Sequence, residues 1–173
     1  PIYPGFIALN TSLGLGEIDA VRATIDEDEI GDFLPHVRSI IAYNAESKVV
    51  ETLRMNGVLL AQIAPNGGII SGSSSVVQLD AWNWEDAVIR YDQGIHLNWP
   101  SPYSRSGYSY YRGPSVIKKS DKYESNVEEI KNFYDSSKAY LNEPNPHPVS
   151  LPYKAMSFVF SGNATVFLHA NDE

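Results

Sequence analysis

The sequence predicts an α/β protein whose strands form a parallel sheet. Short unbroken apolar runs, such as Phe6-Ile7-Ala8-Leu9, are typical of strands that are buried on both faces of such a sheet. A helical pattern lies between two of these runs, which is the order of a β-α-β unit. The length of 173 residues and the 43% content of hydrophobic residues suit one globular domain with a sizeable core.

Five strands are predicted from apolar runs that are bounded by turn-forming residues. They cover 6–9, 58–63, 76–79, 94–99 and 165–169. Between the first two, 10–34 contains glycines and acidic residues with little periodicity, which predicts a long loop. The small residues of 65–75, PNGGIISGSSS, predict a second loop because glycine and serine are frequent in flexible connections.

Three helices are predicted from apolar residues at helical spacing. The first lies near 44–56, and the third covers 151–161. The second covers 125–142, where Ser125 and Glu128 match the capping-box pattern at a helix start. Helices between or beside the apolar strands support the α/β class.

Net charge and cysteine content exclude several classes of protein. The chain has 13 Lys and Arg against 21 Asp and Glu, a net charge of −8, which argues against general binding to nucleic-acid phosphates. The apolar runs are far shorter than the ~20 residues that cross a bilayer, so we expect no membrane partner. The absence of cysteine excludes disulfides, iron–sulfur clusters, thiolate zinc sites and a cysteine nucleophile. We expect a soluble protein and leave its compartment open between cytoplasm and periplasm.

The stretch 3–15, YPGFIALNTSLGL, resembles the first barrel strand of the amidohydrolase superfamily, particularly its imidazolonepropionase-like branch. In that family an apolar strand containing Pro-Gly ends in His-x-His and is followed by a glycine-containing loop. The similarity continues through 35–38, the helix before 56–58, and 69–72. It returns at 166–171, VFLHAN, which is similar to the family strand whose terminal His binds metal.

The resemblance implies a (β/α)8 barrel with its active site at the C-terminal ends of the strands. The chain 1–173 would form an incomplete segment of it, a partial TIM-like (β/α)8 metal-dependent hydrolase barrel with an irregular aromatic-rich insertion at about 91–150. A complete barrel needs ~250 residues. We therefore expect the N-terminal portion of a larger protein, or a chain that pairs with the remainder of the barrel as a complementary chain.

The resemblance also implies hydrolysis of amide or cyclic-amide C–N bonds by a water that a divalent, zinc-like metal activates. The His-x-His of the family is replaced here by Asn10-Thr11-Ser12, while His169 matches a family ligand position. The implied metal site is therefore Asn10, Ser12 and His169. The Asn10 side-chain oxygen can ligate a hard cation, but the Ser12 hydroxyl is a poor substitute for an imidazole. The alternative to a working metal site is therefore a degenerate site that binds no metal. No catalytic residue is assigned.

Tryptophan and tyrosine residues are concentrated in the segment 82–111. Exposed Trp and Tyr side chains can stack on sugar rings or anchor a protein interface. The alternative is that they fix the insertion to the barrel by packing. The candidate binding residues are Trp82, Trp84, Trp99 and Tyr108.

Three functions remain open at the level of sequence. The first is an amidohydrolase-like hydrolase with a small-molecule amide substrate. The second is a catalytically inactive barrel segment that serves as a structural or protein-interaction module, which the replacement at Asn10 and Ser12 favours. The third is a carbohydrate-binding module, which depends on the aromatic residues.

Overall fold

A computed structural model of the chain describes residues 3–18, 20–105 and 117–170. Its described strands form a five-stranded sheet and a small two-stranded one, accompanied by six helices and a 3-10 turn at Arg22–Thr24. The strands are β1 Phe6–Thr11, β2 Val58–Ile63, β3 Ile70–Gln78, β4 Val88–Asn98, β5 Tyr103–Arg105, β6 Ile117–Lys119 and β7 Thr165–His169. The helices are α1 Ser39–Ala42, α2 Lys48–Met55, α3 Trp84–Ala87, α4 Tyr123–Asn142, α5 Leu151–Ala155 and α6 Ser157–Phe160.

The main sheet is mixed, whereas the sequence predicts a parallel one. Its strand order is β1-β2-β3-β4-β7, with β1 parallel to β2 and β4 parallel to β7. Strand β3 runs antiparallel to both of its neighbours, so the prediction is wrong for this strand. The cause is the connection 64–69, which is too short for the crossover that a parallel pair requires. The strands β1, β2, β4 and β7 therefore all point to the same end of the sheet.

The predicted strands are all present, but β3 is longer than its apolar part. It begins at Ile70, so the predicted loop 65–75 is wrong from that residue onward. The serines of this segment, Ser71 and Ser73–Ser75, are buried, and hydroxyl hydrogen bonds compensate for their burial. Similarly, β4 begins six residues before the predicted 94–99 strand, at Val88.

The helices differ from the predictions mainly at their ends. The predicted helix near 44–56 is α2, whose N-cap is Ser47, and α1 precedes it as a separate short helix. The predicted helix 125–142 is confirmed as α4, but Ser125 does not cap it because its hydroxyl donates to the Lys122 carbonyl within the first turn. The predicted helix 151–161 is divided into α5 and α6 at Met156.

Two apolar clusters cover one face of the main sheet. The first lies under α1 and α2, and the second contains residues of α4 together with Ile95 and Leu97 of β4. Because side chains alternate along a strand, His96 projects from the opposite face. We call that opposite face, which lies away from the two clusters, the inner face. The members of the first cluster are Leu13, Leu15, Ile40, Tyr43, Val50, Ala61, Ile63, Val77, Leu79 and Ala87, and those of the second are Ile70, Ile95, Leu97, Ile130, Phe133 and Met156.

The predicted insertion at about 91–150 stays a prediction. Its first residues, 91–98, lie in β4, where 94–97 pair with β3 and 94–98 pair with β7. Helix α4 packs on the sheet through Ile130 and Phe133. Across the described ranges, none of the helices is long and apolar enough to cross a membrane.

Candidate functional site on the inner face of the sheet

Two histidines on the neighbouring strands β4 and β7 contact each other on the inner face. His96 Nδ1 lies 2.8 Å from His169 Nε2, and the two rings stack with centroids 5.0 Å apart. The parallel register places Phe167 opposite His96 and His169 opposite Asn98, so the two histidines are diagonal neighbours. Both lie near the C-terminal ends of their strands.

A third ring extends this stack. The ring of Phe167 lies on that of His96, with centroids 4.9 Å apart. Gly94 provides the space, because a Cβ at this position would stand 2.3 Å from Phe167 Cε2. Phe167, His96 and His169 therefore hold one another in fixed orientations.

Burial determines the charge state of His96. The residue is 1% exposed, and its Nε2 is enclosed without a hydrogen-bond partner among the described residues. Desolvation by burial, together with a smaller contribution from the nearby His169, lowers the pKa of His96 to about 4. His96 is therefore neutral near pH 7.

A chain of hydrogen bonds crosses the rest of the inner face. The Asn10 backbone N–H donates to Gln62 Oε1 at 3.3 Å, and Gln62 Nε2 donates to Ser74 Oγ at 3.1 Å. The Ser74 hydroxyl donates to the Gly94 carbonyl at 3.3 Å. Asn10 has a φ of +50° at an irregularity of the β1–β2 register. These polar groups connect β1, β2, β3 and β4.

The predicted metal residues lie at one end of the sheet but on different edges. Asn10 is exposed in β1, and Ser12 directly follows that strand. His169 is the last residue of β7. In the described sheet β2, β3 and β4 separate these two strands, so strand pairing does not bring Asn10 or Ser12 next to His169.

The described residues do not fit the divalent metal that the resemblance implies. A structural zinc site needs four ligands and a catalytic one needs three from the protein. Within the described ranges, no group of three or more His, Asp, Glu or Cys side chains is placed to hold a metal ion. Moreover, the facing nitrogens of His96 and His169 are engaged with each other.

The three described tryptophans lie at opposite ends of β4, with Trp82 and Trp84 before the strand and Trp99 after it. Trp82 is 87% exposed in the connection before β4, and Trp84 starts α3 and packs against the first cluster. Trp99 follows the other end of β4, where it packs against the second cluster. Eleven residues of strand separate these positions by about 36 Å. Tyr108 lies outside the described residues.

Sequence analysis missed two features of this region. It places residue 96 within the predicted strand 94–99 but leaves out the contact of His96 with His169, 73 residues away. It also missed the ion pair between Arg38 Nε and Asp92, at 2.8 Å, which Ser73 Oγ joins at 3.0 Å. This second group lines a cavity of about 760 Å³ on the face that carries the clusters. Alternation along β4 would have indicated the face of His96, but no local signal predicts either partner.

Comparison with known proteins supports the fold. No protein-family model and no curated protein matches the chain. Among solved structures, an amidohydrolase from Thermotoga maritima MSB8 matches 97% of this chain with a TM-score of 0.73 and 16% sequence identity. The chain spans 45% of the length of that protein. The chain therefore shares its curled α/β sheet with part of an amidohydrolase, whereas a complete (β/α)8 barrel and the imidazolonepropionase-like branch stay predictions.

Proposed function

We propose that this chain is a segment of an amidohydrolase-like barrel protein that hydrolyses amide or cyclic-amide C–N bonds. The observation that supports this function is the match of 97% of the chain to an amidohydrolase fold at a TM-score of 0.73. Polar groups also gather at the C-terminal ends of the strands, which is where barrel enzymes bind their substrates. Substrate would bind on the inner face, beside His169 and the exposed end of β1.

We assign the polar and aromatic residues at this end of the inner face to substrate binding. His169 and Asn10 offer hydrogen-bonding groups to an amide, and the stack of Phe167 on His96 gives the site a rigid wall. Because these residues do not fit a divalent metal, the activation of water is not assigned to them. The imidazolonepropionase-like branch suggests cyclic amides as the first substrates to test.

An activity assay tests this function. The purified chain is incubated with N-acyl amino acids and cyclic amides, and the released amine or ring-opened acid is measured. We expect His169→Gln to reduce hydrolysis at least tenfold, whereas His147→Gln, at an exposed position, should leave it unchanged. Failure to hydrolyse any of these compounds, or equal activity of both variants, would contradict the proposal.

A metal-binding variant tests the degeneracy of the site. Asn10→His with Ser12→His restores the family pattern, and His is tolerated at the positive φ of residue 10. We expect this variant to bind one zinc ion more tightly than the original chain in calorimetry. Ser161→His with Asn163→His is the matched control, since the same residue types stand two positions apart on an exposed turn. Equal affinity of both variants would contradict a degenerate metal site at β1.

A structural or interaction role is the second candidate, and the outer strands of the sheet favour it. In the described sheet β1 and β7 are the outer strands, and each pairs with a neighbouring strand on one side only. Strand β1 also carries exposed apolar side chains. Phe6, Ile7 and Leu9 are 69%, 59% and 72% exposed. An edge of this kind is a template for strand pairing. Since the chain spans 45% of the matched amidohydrolase, we assign this edge to pairing with the remainder of such a barrel.

Light scattering in solution tests this edge. An isolated chain with such an edge should self-associate above its mass of 19.2 kDa, and Leu9→Lys should reduce the association. Ile30→Lys is the control, because Ile30 is also an exposed apolar residue, at 94%, but lies outside the strands. A monodisperse, well-folded monomer of the original chain would contradict the interaction role. The carbohydrate-binding alternative stays a prediction. The described tryptophans lie at opposite ends of β4 and do not support it with one common surface.

A further inference from the structure

We propose that His96 fixes the tautomer of His169, so that His169 presents its Nδ1–H on the inner face as a donor to a carbonyl or carboxylate oxygen. In this role His96 is a positioning residue and His169 is the group that contacts the ligand. The ligand class rests on the proposed function, whereas the tautomer rests on the geometry of the two rings.

The contact between the rings couples their tautomers. One hydrogen lies between His96 Nδ1 and His169 Nε2, which are 2.8 Å apart. When both rings are neutral, each carries one N–H. If His96 donates from Nδ1, the hydrogen of His169 is on Nδ1. If His169 donates from Nε2, the hydrogen of His96 is on Nε2, and His169 Nδ1 has a free lone pair.

The enclosed nitrogen of His96 selects the first arrangement. His96 Nε2 is buried without a hydrogen-bond partner in the described part of the chain. The second arrangement would place an N–H at this atom, and the first places a lone pair there. Buried backbone N–H groups without an acceptor are rarer in proteins than carbonyls without a donor. The same preference, applied to the imidazole, makes Nδ1 of His96 the donor.

The surrounding residues hold this arrangement and leave His169 Nδ1 available. Phe167 stacks on His96, and the Trp99 backbone N–H donates to the His169 carbonyl at 2.8 Å. The Asn98 side chain, opposite His169 in the register, directs its amide nitrogen to Ser71 Oγ and to the carbonyls of Gly67 and Gly68. Among the described residues, no group accepts a hydrogen bond from His169 Nδ1.

The chemical class of the ligand follows from this tautomer. A neutral imidazole with its hydrogen on Nδ1 and its Nε2 engaged can donate one hydrogen bond and has no free lone pair for a cation. Such a group suits the carbonyl oxygen of an amide or the carboxylate of a product. It also explains why His169 does not join Asn10 and Ser12 in a metal site.

Nuclear magnetic resonance tests the tautomer directly on the full chain. Long-range proton–nitrogen correlation at pH 7.5 distinguishes a protonated Nδ1 from a protonated Nε2, and the four histidines are assigned by single substitutions. We expect His169 to be protonated on Nδ1, which is the minor form of free histidine, and the exposed His147 to be protonated on Nε2. A His169 protonated on Nε2 would overturn the proposal.

A variant and two probes complete the test. His96→Phe keeps an aromatic ring in the stack but removes the donor, so His169 should change to protonation on Nε2. In the original chain, added acetate should shift the Nδ1 resonance of His169, whereas equimolar zinc chloride should not. An unchanged tautomer in a folded His96→Phe variant, no response to acetate, or zinc binding at His169 would each contradict the proposal. If the tautomer is found but no amide is hydrolysed, the proposed function fails and the positioning role of His96 stands.

Discussion

Gly94 of β4 lies directly beneath the ring of Phe167 on β7. The ideal Cβ position at residue 94 stands 2.3 Å from Phe167 Cε2 and 2.7 Å from the Thr165 carbonyl oxygen. Neither backbone nor ring can give way without disturbing the stack of Phe167 on His96. The absence of a single methyl group thus determines how closely β7 and its aromatic side chain approach β4.

Gly94→Ala should therefore destabilise the chain by about 1–3 kcal/mol, the usual range for overpacking a filled interior. Urea unfolding measures this loss. Gly16→Ala is the matched control, since nothing lies within 4 Å of a Cβ there and its φ is outside the left-handed region. Adding Phe167→Leu to Gly94→Ala should cost less than the sum of the single losses. Strict additivity would contradict the steric explanation.

The ion pair between Arg38 and Asp92 should contribute modestly to stability. Asp92→Asn removes the charge while keeping a residue that tolerates the φ of +44° at this position. Because both side chains are partly exposed, we expect a loss of about 1 kcal/mol that shrinks in high salt.

Glu51→Gln is the control for this pair. It removes the exposed partner of Lys48 on α2 and should have no measurable effect on urea unfolding. A loss from Asp92→Asn that does not depend on salt would show that the carboxylate acts through its hydrogen bond from Ser73 instead.

Stability should fall as the pH is lowered from about 6.5 to about 4. The pKa of His96 is about 4 in the folded chain and near the ordinary histidine value of 6.5 when unfolded. Between these values the unfolded chain binds the proton and the folded chain does not, so the free energy of unfolding decreases as pH falls. The total loss from this residue is about 3 kcal/mol.

Urea unfolding at several pH values checks this dependence. Carboxylates also titrate as the pH falls, and their contribution is shared by the original chain and its variants. His96→Phe should flatten the profile between pH 6.5 and 4 relative to the original chain, while His147→Gln should leave it unchanged. Parallel profiles for the original chain and His96→Phe would rule out His96 as the source.

The side chains of Gln62 and Ser74, which share a hydrogen bond, should show a large coupling energy in a double-mutant cycle. Both residues are buried on the inner face, so Ser74→Ala leaves Gln62 Nε2 without this acceptor. We expect a loss of about 1–3 kcal/mol. Gln62→Leu combined with Ser74→Ala should recover part of that loss, because no buried Gln62 Nε2 is then left without its acceptor, while the exposed Asn10 loses its N–H bond to Gln62 Oε1. A double-mutant cycle with zero coupling energy would contradict this network.

The sequence predicts the apolar part of the fold well. The strands 6–9 and 58–63 are found where continuous apolar runs indicate them, and the α/β class is supported by the matched amidohydrolase. The prediction that strand 6–9 is buried on both faces is wrong, because Phe6, Ile7 and Leu9 lie exposed in an outer strand of the described sheet. The direction of β3 and its serine-rich beginning were missed. Burial of Ser73–Ser75 depends on hydrogen bonds to Val37, Asp92 and Gly94, which only tertiary structure provides.

The candidate site is less accessible to sequence reasoning. His169 was selected because of the resemblance, and its position at the end of β7 agrees with that prediction. Its contact with His96 depends on the register between β4 and β7, whose strands are far apart in the chain. No periodicity or local motif carries information about such a register, so the pairing of the two imidazoles could be found only in three dimensions.

The left-handed backbone at Asn10 allows one of two different side chains, asparagine or histidine, to occupy the end of β1. Asparagine and histidine are both among the side chains that accept such a φ. An amide can thus replace an imidazole there, or the reverse, while the strand and its hydrogen bond to Gln62 keep their geometry. One scaffold can then carry either a neutral hydrogen-bonding edge or a metal-binding one, and the choice between them is made by side chains without rebuilding the sheet.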